Sequence, residues 1–151
     1  MSEASSTIKT AMEIPDHRPN GGLAALLTFK AIIVFIALDL CFYLFGFDRT
    51  FRRAVSKKTK LSRLSGPRAT IYAAMAVEAV NRATQWYYRK RLDCLPKSLT
   101  LFVLLKKTLP IDLCIGVKKF PFAGHAWVEY GNFILGDIPE KVGFYTVLSR
   151  V

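Results

Sequence analysis

Three side chains in the carboxy-terminal half of the chain have the types and spacing of a thiol-based catalytic unit: Cys94, His125 and Asp137. A cysteine is a nucleophile only as its thiolate, so it needs a neighbour that takes the proton. An imidazole does this best when a carboxylate fixes its tautomer and stabilises the imidazolium that forms. Cys94 opens the apolar stretch "CLPKSLTLFVLLKK", and His125, one of only two histidines in 151 residues, lies in "PFAGHAWVEYGNFILGD". The chemistry this trio would do is attack on a carbonyl carbon and formation of an acyl-enzyme.

Each member also has a bland reading. A single cysteine at a helix start is more often a small buried residue, and Asp93 beside it opposes thiolate formation. A lone histidine on a strand is most often a satisfied side chain on a sheet face. The combination, in chain order Cys–His–Asp with intervals of 31 and 12 residues, favours catalysis. Cys41, mid-helix, and Cys114, mid-strand, read as packing residues.

Positioning such a trio requires a helix for the thiol and a hairpin for the base and acid. Asp93 or Cys94 can cap a helix, Pro96 suits its first turn, Lys106 and Lys107 suit the negative end of its dipole, and Pro110 closes it. Leu95, Leu99, Phe102 and Leu105 give it an apolar face. A thiol at the amino end of that helix faces unpaired N–H groups, which stabilise both a thiolate and an oxyanion. After Pro110 the period becomes two, with Ile111, Leu113, Ile115 and Val117 alternating with more polar or smaller residues, as in a half-buried strand. A turn centred on Gly131 would place residues whose numbers sum to 262 opposite one another. His125 would then face Asp137, with Cβ atoms about 4.5–5.5 Å apart. Glu129, four residues along the same strand, is a poorer partner.

Upstream, Ser65-Gly66-Pro67 reads as a helix start. The following segment sets Glu78, Arg82, Gln85 and Arg89 on one stripe and Ala76, Val80, Ala83 and Tyr87 on the other. The apolar run "LAALLTFKAIIVFIALDLCFYLFGF" (23–47) is long enough to span a bilayer. Lys30 and Asp39 interrupt it, about 180° apart around a helix, and a central aspartate is costly in lipid. A buried or partner-covered helix is expected first, membrane-surface association second and a true span third. Residues 48–68, "DRTFRRAVSKKTKLSRLSGPR", form a basic strip that is either a solvated linker or a docking segment for lipid head groups or an acidic peptide.

The composition sets bounds on the whole. With 52% apolar residues the chain is not disordered throughout, and a net charge of +11 favours anionic partners. Three cysteines without C-x-x-C spacing argue against a disulfide framework or zinc site, and no phosphate-cradling glycine loop is present. No metal or cofactor is therefore expected, and a reducing cytoplasmic setting is. The amino-terminal residues have no secretory signal pattern. The expected organisation is a mobile tail (1–22), an apolar helix and basic linker (23–66), and a catalytic core (67–151).

Together "CLPKSLTLFVLLKK" and "LCIGVKKFPFAGHAWVEYGNFILGD" resemble the transglutaminase-like cysteine peptidases of lasso-peptide biosynthesis, the leader-peptidase or B2 component. The resemblance is close over 94–137 and looser upstream. Its motif positions fall on Cys94 as nucleophile, His125 as base and Asp137 as orienting acid. It implies an α+β, papain/transglutaminase-like core, with the cysteine helix packed on an antiparallel sheet and residues 143–151 adding a strand. It also implies the substrate, a ribosomally made precursor whose leader is removed. The implied partners are a stand-alone leader-binding protein, since no such domain fits within residues 1–60, and an asparagine-synthetase-like ATP-dependent macrocyclase. Membrane-surface contact is a further option, and nucleic acid is not an expected partner. Cys94's own amide is the expected oxyanion donor, with Gln85 or Trp86 as candidates for an added side-chain donor. The rival readings are a transglutaminase or acyltransferase using the same trio, and a non-enzymatic, basic, membrane-associated adaptor.

Overall fold

A computed structural model describes residues 10–11, 21–56, 64–87 and 94–151. The elements in chain order are β1 (Thr10–Ala11), α1 (Gly21–Phe45), α2 (Phe47–Val55), α3 (Pro67–Tyr87), α4 (Cys94–Leu105), β2 (Ile111–Lys118), β3 (Ala123–Tyr130), β4 (Phe133–Leu135), α5 (Pro139–Val142) and β5 (Thr146–Arg150). This is an α+β arrangement in which helices cover one face of a five-stranded sheet ordered β1-β4-β3-β2-β5. All strand pairs are antiparallel except β1 with β4. Thr10 and Ala11 belong to the segment expected as a tail, yet they pair with Phe133 and Ile134. The rest of residues 1–20, the basic residues 57–63, and Arg89 and Asp93 lie outside the described residues.

The apolar run forms one helix up to its last two residues. α1 ends at Phe45, the backbone turns at Gly46 (φ 77), and α2 occupies the first part of the expected linker. Leu27, Ala31, Phe35 and Leu38 recur every three or four residues along α1 and are buried. They meet the small-residue stripe of α3, where Ala69, Ala73, Ala76, Val80 and Ala83 let the two backbones approach closely. Lys30 stays exposed, and Asp39 accepts a hydrogen bond from the Tyr87 hydroxyl. Glu78 and Arg82 pair on the opposite, solvent-facing side of α3.

The α4 stripe of Leu99, Leu101, Phe102 and Leu105 presses onto Ile111, Leu113, Val128 and Leu135 of the sheet and completes this core. On the other sheet face a smaller cluster forms from Cys114, Trp127, Ile134 and Val142, with Tyr145 against it. β2 is therefore covered on both faces rather than half-buried, with Leu113 and Cys114 each fully enclosed. Gly116 makes that possible: a Cβ there would lie 2.8 Å from both the Trp127 ring and the Thr146 carbonyl.

The β3–β4 hairpin corrects the expected register. Tyr130 pairs with Phe133, Glu129 with Ile134 and Val128 with Leu135. The turn is therefore the two-residue Gly131-Asn132, and opposed numbers sum to 263. Gly131 has φ 56 whereas Asn132 stays out of the positive-φ region, the pattern of a II′ turn. In a continued ladder of this register Asp137 would project from the face opposite His125, because a one-residue slip reverses every side chain. The ladder does not continue. Gly136 adopts φ 72 and ends β4, and the chain folds Asp137 back onto His125.

Candidate active site

The first turn of α4 fills the gap left where β4 stops. Among the described residues no strand lies beside the outer edge of β3 past Val128 toward His125, and α4 takes both backbone groups of Ala126. The Ser98 hydroxyl donates to the Ala126 carbonyl at 2.8 Å, and the Ala126 amide hydrogen-bonds the Cys94 sulfur. The amino end of a buried helix is thereby fixed against the strand that carries His125.

His125 is 5% exposed and stands between the two expected partners. Its Nε2 bonds to Asp137 Oδ2, and its ring hydrogen-bonds Cys94. With Nε2 taken by the carboxylate, Nδ1 is the nitrogen left for the thiol. The other Asp137 oxygen accepts from the Ile138 amide at 2.9 Å and lies 3.8 Å from the Lys141 ammonium. Tyr145 and Trp127 flank the imidazole, with ring centroids 5.0 and 6.0 Å away. Glu129 is engaged elsewhere: Trp127 donates to it at 2.8 Å and Arg150 pairs with it at 3.0 Å.

These contacts shift all three groups toward an ion pair. The hydrogen bond to His125 holds the Cys94 thiol below its ordinary range, against the opposing effect of burial, and the Ala126 amide adds to the lowering. Hydrogen bonds first to Asp137 and then to Cys94 push His125 up to about 9, again against burial. Burial alone would raise Asp137. Its bonds with His125 and the Ile138 amide outweigh that and hold the carboxyl below its ordinary value.

Cys94 opens onto two hollows. A groove of about 570 Å³ is walled by Phe42 of α1, Phe47 of α2, Leu95, Pro96, Lys141 and Tyr145, with His125 at its floor. A smaller pocket of about 150 Å³ is lined by Thr84, Lys97, Ser98, Gly136, Asp137 and Lys141. A peptide carbonyl over Cys94 would thus meet aromatic side chains in the groove and polar, cationic ones in the pocket.

Several of these residues lie outside the Cys94, His125 and Asp137 trio that the sequence points to. Lys97 donates to the Gly136 carbonyl at 3.1 Å, which ties α4 to the turn presenting Asp137. Burial lowers its pKa, offset in part by Asp137. A lysine in the first turn of a helix opposes the dipole, and that misplacement is the signal in the sequence. Ser98, Thr84 and Tyr145 carry no comparable signal. Gln85 and Trp86 do not reach the site: both are exposed, and Thr84 is the α3 residue that lines the pocket. Among the described residues no group of three His, Cys, Asp or Glu side chains is arranged to hold a metal ion.

A family profile described as the transglutaminase-like superfamily matches residues 37–150, well over half of the chain. The Microcin J25-processing protein McjB of Escherichia coli is 33% identical over 60 residues, a stretch that covers 39% of this chain and 29% of that protein. The matched stretch thus spans under a third of that relative's length. No solved structure matches the chain. The helix-borne cysteine, the antiparallel sheet behind it and the extent of the profile match agree, and the chain belongs to the transglutaminase-like superfamily.

Proposed function

We propose that this protein is a cysteine peptidase that removes the leader from a ribosomally made lasso-peptide precursor, acting in the cytoplasm. The observation that carries this reading is the position of His125, which contacts Cys94 on one side and Asp137 on the other. The sequence likeness to a microcin-processing protein supports the substrate class. A leader-binding protein and an ATP-dependent macrocyclase are the proposed partners. The catalytic residues fall in 67–151, while α1 and α2 lend Phe42 and Phe47 to the groove wall.

In the proposed mechanism His125 Nδ1 takes the Cys94 proton and the thiolate attacks the carbonyl at the leader–core junction. The carbonyl oxygen becomes an oxyanion, for which the Cys94 amide at the start of the helix is the proposed donor. His125 then protonates the departing amine as the C–N bond breaks. Water, deprotonated by the same imidazole, displaces the thiol from the acyl-enzyme and releases the leader as a carboxylic acid. Asp137 keeps the proton of the neutral ring on Nε2 throughout.

The test is to mix the protein with precursor and leader-binding partner and follow leader mass. Cys94→Ala and His125→Ala are expected to abolish release, and Cys114→Ala, whose thiol is buried among Trp127 and Val142, to leave it near the wild-type rate. Full activity of Cys94→Ala would sink the mechanism. A leader recovered as an amide of an added amine would point to acyl transfer rather than hydrolysis.

A further inference from the structure

A further hollow lies between α1, α2 and α4, and it shares no lining residue with the two beside Cys94. Its volume is about 300 Å³, and Val34, Leu38, Cys41, Phe45 and Val103 give it an apolar wall. Small-molecule sites have this form, a mostly apolar concavity with a few placed polar groups. Apolar cavities of about 150 Å³ take up benzene, so this one has room for an alkyl chain of roughly ten carbons.

The charged and hydroxyl side chains along it are Arg53 of α2, Lys106 just past α4, and Thr50. Among the described residues no Asp or Glu borders the hollow, and Asp48, the acid of α2, is paired with Arg52 instead. The Arg53 guanidinium lies 5.7 Å from the ring centre of Phe45, and the Lys106 ammonium donates to the Ala54 carbonyl. Phe45 and Ala54 both belong to the wall, so each cation is held against the hollow. Thr50 is 5% exposed, and its hydroxyl has no hydrogen-bond partner. Thr28 and Thr84, also within helices, donate theirs to the carbonyl four residues back. A buried donor without an acceptor is costly, and a ligand oxygen drawn in beside Thr50 would supply the acceptor.

An apolar wall bordered by two cations and a hydroxyl fits a chain-like ligand with one anionic, hydrogen-bond-accepting end. We infer that the hollow between α1, α2 and α4 binds a single-chain alkyl carboxylate of roughly ten carbons. Its tail lies against Leu38 and Val103, and its carboxylate meets Arg53 and Lys106. The site stands apart from Cys94 and holds whether or not the chain cleaves a leader.

Cys41 is a free, half-buried thiol in the wall, so its alkylation reports occupancy. The full chain is treated with iodoacetamide, with and without decanoate below its micelle-forming concentration, and labelling is followed by peptide mass mapping. Decanoate is expected to slow labelling of Cys41 saturably and to leave that of Cys94 unchanged. Decanol, the same chain without the charge, is expected to bind roughly fivefold more weakly. Arg53→Gln should weaken decanoate by a similar factor and leave decanol unaffected. Val103→Trp, which fills the hollow, should abolish the calorimetric heat of decanoate binding. Arg53→Gln, at an exposed position, keeps the question open to test if Val103→Trp misfolds. No saturable protection of Cys41, equal affinity for decanol and decanoate, or full binding by a folded Val103→Trp would each overturn the proposal. So would protection of Cys41 by phosphatidylglycerol vesicles alone, since the chain would then belong to a membrane lipid.

Discussion

At the scale of single residues, the placement of His125 sets a pH window. The imidazole, raised to about 9, stays protonated up to that pH, while the thiol, lowered by the same contact, ionises below its ordinary range. A thiolate–imidazolium pair therefore exists between the two, and kcat/KM for leader release should be bell-shaped with its alkaline limb near pH 9. Asp137→Asn removes the largest influence raising His125, so the alkaline limb should move to lower pH and the rate should fall. A limb that stays in place would remove Asp137 from the mechanism. The sign for stability is the same: with its folded pKa raised, His125 contributes fully below its unfolded value near 6.5, and the contribution is lost as pH rises through about 9. Cys94, His125 and Asp137 were legible in the sequence because histidine is rare here and the three residue types have few other uses together. Lys97, Ser98 and the Ala126 amide were not. Their partners are backbone groups of other elements, and backbone groups leave no mark in residue types.

At the scale of elements, the hairpin turn differs by one residue in register from the one centred on Gly131. A turn centred on Gly131 and one made of Gly131-Asn132 differ little in sequence, but they send Asp137 to opposite faces of the sheet. The favoured two-residue turn prevailed, and Gly136 undid the resulting mismatch by leaving the strand at φ 72. The expected His125–Asp137 contact thus forms by a different route from a directly opposed pair. Gly136→Ala is expected to cost about 1–2 kcal/mol, the penalty of a Cβ in left-handed backbone, as read by urea denaturation. Under the proposed mechanism the same change should lower leader release more than Cys94 alkylation, because it displaces Asp137 and not Cys94. Equal losses in both would mean that Gly136 serves folding alone. The α3 and α4 helices were readable because proline, glycine and apolar period mark them directly. α2 was not, since its few apolar residues sit among arginines and resemble a linker.

At the scale of the whole molecule, the amino-terminal helices and the sheet share one interior. α1 gives Ala31, Phe35 and Leu38 to the same core as α3, α4 and the sheet, and it shares the groove beside Cys94 with α2 and α4. Phe35, 1% exposed and stacked on Tyr87, should cost about 3–5 kcal/mol as Phe35→Ala, as for other large aromatic truncations. A loss below 1 kcal/mol on urea denaturation would mean that α1 is an appendage. The sequence could not show which face of α1 turned inward, because both are apolar and only the partner helix decides. The order of the strands also gives the sheet two unlike borders. On one side two of the three residues of β4 are matched by Thr10 and Ala11 of β1. On the other, β5 presents five exposed residues, Val147 and Leu148 among them, and among the described residues no further strand lies beyond it in the sheet. An open border of this kind is where a sheet can recruit a stranger's backbone. Arg150, held by Glu129 near the end of β5, puts a positive charge on that border, so two such borders meeting would bring like charges together.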